Sequence, residues 1–263
     1  MKRGLLGTVV CLGMASGLMC AQTVEDRLAE HISFYESFDD SIQPDQARGD
    51  HRLQVARYDE TRVRYIQGVL GPAVLGAAEN VQNLNFKIQD NVDFSRPGSL
   101  AFWFNPVDWV MQRPDTPPQG KTKWKQTMSS GFFATGYSRD GYVVFQRRTS
   151  HVPGELRSAI MLQFINFKDI SHRLANKFIW NVELKPKTWH HLALTWDGLS
   201  YQAYLDGQEL LKTAIPVKLT ADRLHKQFCI YMAKGLAYDE FYIFDKQLAP
   251  EEITAMYKQF IKK

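Results

Sequence analysis

The chain has 263 residues, of which 44% are hydrophobic and 13% aromatic, enough for one large domain with a substantial core and too apolar for general disorder. The formal charge is +4, and Lys2 and Arg3 supply two of those charges in a segment expected to be removed. The remaining +2 is too small and too scattered for a nucleic-acid-binding stripe.

Lys2 and Arg3 precede an apolar, uncharged stretch from Leu5 to Met19. Ala21 is a candidate cleavage residue before the polar run Gln22-Thr23-Val24-Glu25-Asp26, so residues 1–21 read as a secretory signal peptide. The apolar run falls short of the roughly 20 residues that span a bilayer; the competing reading is an uncleaved anchor. Lipid attachment at Cys20 is a third reading, against which Met19 counts because it is not small. Cys11 and Cys20 lie in this segment, so Cys229 alone remains and no internal disulfide is expected in the mature chain. Phe228-Cys229-Ile230-Tyr231 reads as a buried strand and Cys229 as a structural thiol.

Residues 22–31 fit a short amphipathic helix, followed by strand-like alternation from Ile32 to Phe38 and a loop at Asp39-Asp40 and Pro44-Asp45. Strand-like segments then recur at 62–66, 84–88, 99–104, 131–137, 142–147, 160–167, 179–184, 190–196, 201–205, 227–232 and 238–244, with turn residues between them. Asp197-Gly198 and Asp206-Gly207 mark tight hairpins, and Arg139-Asp140-Gly141 is a third candidate. The spacing predicts an all-β antiparallel sandwich or barrel, not a βαβ sheet. Val107 to Thr127, with Pro114, Pro117, Pro118 and Gly120, reads as a long loop that is either functional or mobile. Shorter loops are expected at 149–157 and 168–177. A helix opens at Pro250 with Glu251 and Glu252, presents Ile253, Met256, Tyr257 and Phe260 on one face, and ends in Lys262-Lys263.

Four segments in this order resemble a laminin-G-like jelly roll of the concanavalin A-like superfamily: Gly68-Val69-Leu70-Gly71-Pro72-Ala73, Ser99 to Phe104, Trp189 to Gly198 with Tyr204-Leu205-Asp206-Gly207, and Ala237 to Asp245 with Leu248 to Ile253. The resemblance implies a single two-sheet β-sandwich over residues 22–263 with short terminal helices. It also implies a domain that binds a glycan or a cell-surface protein, in some members with calcium. Some relatives are polysaccharide-degrading glycoside hydrolases, so the scaffold does not settle function.

Candidate residues follow. His190 and His191 are adjacent on a strand and face opposite ways, so a structural role is expected instead of a metal pair. A glycosidase of this fold needs two carboxylates about 5–10 Å apart. Asp239 and Glu240, as strand neighbours, are expected to point to opposite faces. For calcium, Asp39 or Asp40 near the first strand and Asp239 on the last lie on elements that the family sets side by side; the alternative is a turn cap at Asp39-Asp40 and a solvated Asp239. Trp109 and Trp124 in the long loop are candidate sugar platforms, with Lys123 and Lys125 suited to an acidic glycan; the alternative is a loop that buries both rings. Trp103, Trp189 and Trp196 are assigned to the core. An enzyme with an unrecognised carboxylate pair and a structural protein of the envelope are the competing functions.

Overall fold

The structure is a computed structural model that describes residues 24–54, 63–76, 83–107, 125–135, 141–152, 155–166, 176–180, 182–215, 218–233 and 235–261. It is an all-β sandwich of two antiparallel sheets with short terminal helices.

Among the described residues one sheet has nine strands: β1 (Ile32–Glu36), β2 (Gln46–Ala47), β3 (Arg64–Gln67), β4 (Pro72–Leu75), β6 (Gly98–Pro106), β11 (His190–Trp196), β12 (Ser200–Leu205), β13 (Gln208–Ala214) and β15 (Leu236–Phe244). Its order is β13-β12-β11-β6-β15-β1-β2, with the β3–β4 hairpin joined to β15. The second sheet holds six strands among the described residues, β5 (Leu84–Lys87), β7 (Lys125–Thr135), β8 (Gly141–Val152), β9 (Glu155–Asn166), β10 (Asn176–Trp180) and β14 (Gln227–Ile230), in the order β10-β9-β8-β7-β14-β5.

Alternating residues of both sheets meet in an aromatic layer. Phe34 meets Phe86 edge-on at 4.9 Å, Phe102 stacks on Phe241 at 5.4 Å, and Phe133 on Phe228 at 5.5 Å. Each of these rings is 0–1% exposed, so each contributes about 2–3 kcal/mol of burial. Asp206 and Gly207 take φ of 51° and 75°, the left-handed pair that a tight Asp-Gly hairpin needs. The turn at 139–141 lies mainly outside the described residues, although β7 and β8 pair antiparallel on either side of it.

The helix α2 (Pro250–Ile261) lies on the outer face of the larger sheet. Ile253 and Met256 join a buried cluster with Ile32, Tyr35, Ala101, Tyr204 and Tyr242. Trp103 stacks on Tyr257 at 5.7 Å and meets Phe260 edge-on. Glu252 starts this helix by accepting the Ala249 N–H at 2.8 Å, with Lys246 on its other oxygen at 2.6 Å. At the other end of the chain, α1 (Val24–Leu28) runs into a single 3-10 turn at Ala29–His31.

Three expectations need correction. The break at 149–157 is instead a continuation of two long strands, β8 and β9, paired from Gly141↔Asn166 to Val152↔Glu155. Polar residues such as Arg148, Thr149 and Ser158 sit in that ladder because a backbone pair needs no apolar side chain. Lys125 opens β7 with its backbone paired to His151, so the long loop ends earlier than Thr127. Trp189, expected in the core, is only half-buried just before β11, whereas Trp103 and Trp196 are 2% and 1% exposed. Cys229 is buried, and burial pushes its thiol up to about 11, which fits a structural role.

The two histidines separate as their parity requires. His190 packs beside Phe104 of the inner layer; it accepts the Lys185 N–H on Nε2 at 3.2 Å, so Nδ1 donates to Asp206 at 2.8 Å. His191 lies on the outer face between Trp103 and α2, and burial holds its imidazole down, to about 4, against the opposing pull of Asp206. The folded state thus rejects a proton that the unfolded chain accepts at 6.5, and stability present above that pH is lost as pH falls towards 4. The loss attributable to this ring is roughly 3 kcal/mol. Urea unfolding of the parent and of His191→Phe at pH 7 and pH 5 checks it: the parent loses more stability on acidification than the variant, and equal losses refute the assignment.

Candidate functional site

The most unusual polar feature lies where β15 changes partner. Along one edge β15 pairs first with β4 (Tyr238↔Val74) and then with β1 (Phe241↔Glu36). Between those pairs lie Asp239 and Glu240, and the ladder to β6 on the other edge shifts register between Asp239 and Tyr242. Glu240 has φ of 52°, the left-handed region that non-glycine residues avoid. This bulge turns both carboxylates away from the inner layer, which corrects the expectation that they face opposite ways. Asp239 pairs with Trp103, whose ring lies under α2; Glu240 accepts from Tyr35 at 3.0 Å and Tyr242 at 2.7 Å, both in the α2-facing cluster. Tyr238 and Phe241 on either side stay in the aromatic core.

Asp239 is 0% exposed and Glu240 1%. Oδ2 of Asp239 accepts the N–H groups of Val69 and Leu70 at 2.7 and 3.1 Å, while its Oδ1 is buried with no hydrogen-bond partner among the described residues. The β3–β4 turn is drawn tightly over these acids. A Cβ on Gly68 would stand 2.3 Å from Asp239 Oδ2, and one on Gly71, at φ 99°, would stand 2.2 Å from Asp39 Oδ1. Glu36, at the end of β1, is also buried and accepts the Phe38 N–H at 3.1 Å.

Burial, with repulsion from Asp39, pushes the Asp239 carboxyl up to about 7 despite its backbone donors. Burial and the neighbouring Asp239 push Glu240 up to about 8. Asp39 therefore belongs to the cluster and Asp239 is not solvated, whereas Asp40 is exposed. Sequence reasoning missed Glu36 and Glu240. The signal for Glu240 was the spacing of Tyr238 and Phe241, three apart instead of two.

All the donors here are oxygens, which suits a hard cation such as calcium. Among the described residues no three acid, histidine or cysteine side chains form a metal-holding group, so backbone carbonyls would have to complete a shell around Asp39 and Asp239. Trp109, Lys123 and Trp124 lie outside the described residues, as does the side chain of Lys125.

No family model matches the chain, and no curated protein matches it by sequence. Solved structures do match in fold. Domain 4 of AbnA, a GH43 extracellular arabinanase from Geobacillus stearothermophilus in complex with arabinotriose, aligns with TM-score 0.53 and 14% identity over 86% of this chain and 98% of that domain. The botulinum neurotoxin serotype G binding domain aligns with TM-score 0.56 and 14% identity over 87% of this chain. The serotype D binding domain aligns with TM-score 0.54 and 12% identity over 91% of this chain. This chain spans about half the length of the two toxin domains, 51% and 53%. At such identities the likeness establishes the β-sandwich fold.

The close fit of the β3–β4 turn is testable. Gly71→Ala places a Cβ against Asp39 in a left-handed conformation, and costs at least about 1–2 kcal/mol. The readout is a lower urea midpoint at unchanged slope; an unchanged midpoint shows that the turn does not press on the acids.

Proposed function

We propose that this chain is an exported, non-catalytic binding domain of the laminin-G-like type, which recognises a glycan or a cell-surface protein and holds a structural calcium at the split in β15. The observation that carries the reading is the use to which the buried acids are put. Asp239 binds the amides of the β3–β4 turn, Glu240 binds two tyrosine hydroxyls, and Glu36 binds its own backbone. Carboxylates so committed brace a scaffold. A glycosidase pair must meet a sugar, and Asp239 and Glu240 at 0% and 1% exposure lie beneath the surface, out of reach of one.

Fold analogy supports the binding theme: the AbnA domain was solved with arabinotriose, and the toxin domains are binding domains by name. Export rests on the apolar segment after Lys2 and Arg3, and lipid attachment at Cys20 remains the variant of it to exclude by mass spectrometry of the secreted chain. Among the described residues no helix is long and apolar enough to cross a membrane. In the calcium reading, Asp39 and Asp239 supply carboxylate oxygens, including the buried Oδ1 of Asp239. The ion would offset repulsion between acids that the fold crowds together.

Two measurements test this reading. Millimolar calcium raises the melting temperature relative to a chelator, by the equivalent of about 2.7 kcal/mol at a hundredfold excess over Kd, and Asp239→Asn removes the shift. No shift in the parent sinks the calcium assignment. A glycan-array screen of the chain with and without chelator addresses the ligand. Binding that Trp124→Ala abolishes supports the loop platform, and polysaccharide turnover without retention overturns the non-catalytic reading.

A further inference from the structure

A second polar feature lies at the other end of the β1–β15 pair. It is a cleft of about 920 Å3 between Arg48, the connection from β5 to β6, and the segment leading into β14. That volume is within the roughly 300–1,000 Å3 range of small-molecule sites. One wall is pinned by Asn91, which is 0% exposed. Its Oδ1 accepts the Gly49 N–H at 2.9 Å, and its Nδ2 donates to the carbonyls of Lys87 at 3.0 Å and Asp50 at 3.2 Å. Ser33 donates to the Asn91 carbonyl at 2.7 Å. The walls are therefore set before any ligand arrives.

Four cations line the cleft: Arg48, Lys87, Arg96 and Lys226. Two are committed. Arg48 pairs with Asp245, which also meets His31 at 3.0 Å, and Lys87 pairs with Asp50 at 2.6 Å. Arg96 and Lys226 are exposed and have no carboxylate partner among the described residues. Of the other acids lining the cleft, Asp93 accepts from the neutral Ser95 at 2.8 and 2.7 Å and keeps its charge, as does Asp90. The described lining side chains thus carry four positive charges against three negative, and the two exposed cations Arg96 and Lys226 are the ones without an ion-pair partner. Among the described residues the lining otherwise offers amides such as Gln89 and Gln227 and no exposed aromatic ring, since Phe244 is 2% exposed. A concave polar cleft with a few fixed cations suits a ligand rich in hydroxyls with occasional anionic groups. A duplex would require a dense basic stripe and a lipid surface an apolar rim.

We propose that this cleft binds an acidic oligosaccharide, with Arg96 and Lys226 receiving its carboxylate or sulfate groups and the Arg48–Asp245 pair meeting its hydroxyls. The assignment rests on the binding-domain reading and does not depend on Trp124. Guanidinium and ammonium groups both take such oxyanions, the first in bidentate form.

Isothermal titration of the chain as expressed, with a heparin-derived tetrasaccharide, trigalacturonate and neutral arabinotriose, tests it. Binding of either acidic probe is expected, weakened about tenfold or more in the Arg96→Gln/Lys226→Gln double variant, with a shallower salt dependence. Whichever acidic probe binds identifies sulfate or carboxylate as the anion. The variant should keep the parent melting temperature, because neither residue is buried or paired within the described structure. Failure of both acidic probes at millimolar concentration overturns the proposal, and so does equal binding by parent and variant. Arabinotriose binding alone overturns it while leaving the wider binding reading intact.

Discussion

Burial of the aromatic layer between the sheets outranks the regularity of the strands that carry it. In β15, Tyr238 and Phe241 both reach the inner layer although they are three residues apart. A regular strand cannot send both inward. The chain inserts a bulge and accepts Glu240 at a φ of 52°. Left-handed backbone costs a non-glycine residue about 1–2 kcal/mol, while one buried aromatic contributes roughly 2–3 kcal/mol, so the bulge is the cheaper outcome. The same contest shows in β7, where a register shift lets Phe132 and Phe133 both join the core.

The acids of the split follow from that choice. Once the bulge excludes Asp239 and Glu240 from the inner layer, both emerge beside the end of β1 and the β3–β4 turn. The backbone there has lost part of its ladder; Asp239 supplies an acceptor for the amides of Val69 and Leu70, and Glu240 one for the hydroxyls of Tyr35 and Tyr242. The compensation is incomplete, because acids gathered out of water repel and Asp239 Oδ1 has no donor among the described residues. Burial of this kind favours the protonated, neutral form of the acids.

Much of the fold was legible because its signals are local. The Asp206-Gly207 hairpin follows from backbone conformation, the terminal helix from Pro250 and its Glu252 cap, and the opposite facing of His190 and His191 from strand parity. The site was only partly legible because it depends on a departure from parity. Period-two counting sends Asp239 and Glu240 apart, and only the apolar spacing of Tyr238 and Phe241 contradicts it. The extension of β8 and β9 through residues 149–157 was hidden for another reason: polar side chains dominate there, and the ladder is held by backbone groups that every residue carries.

The strand pair β1–β15 links the two polar features. Near its Ile32–Phe244 end lie Ser33 and Asp245 of the cleft; at its Glu36–Phe241 end lie the acids of the split. Between them Tyr35 stacks on Tyr242 at 4.5 Å, and Phe34 anchors the inner face. The central pair thus carries a polar feature at each end and aromatic packing between them. Core rings fix the strand positions, and the strand ends, where that packing stops, are where polar side chains gather.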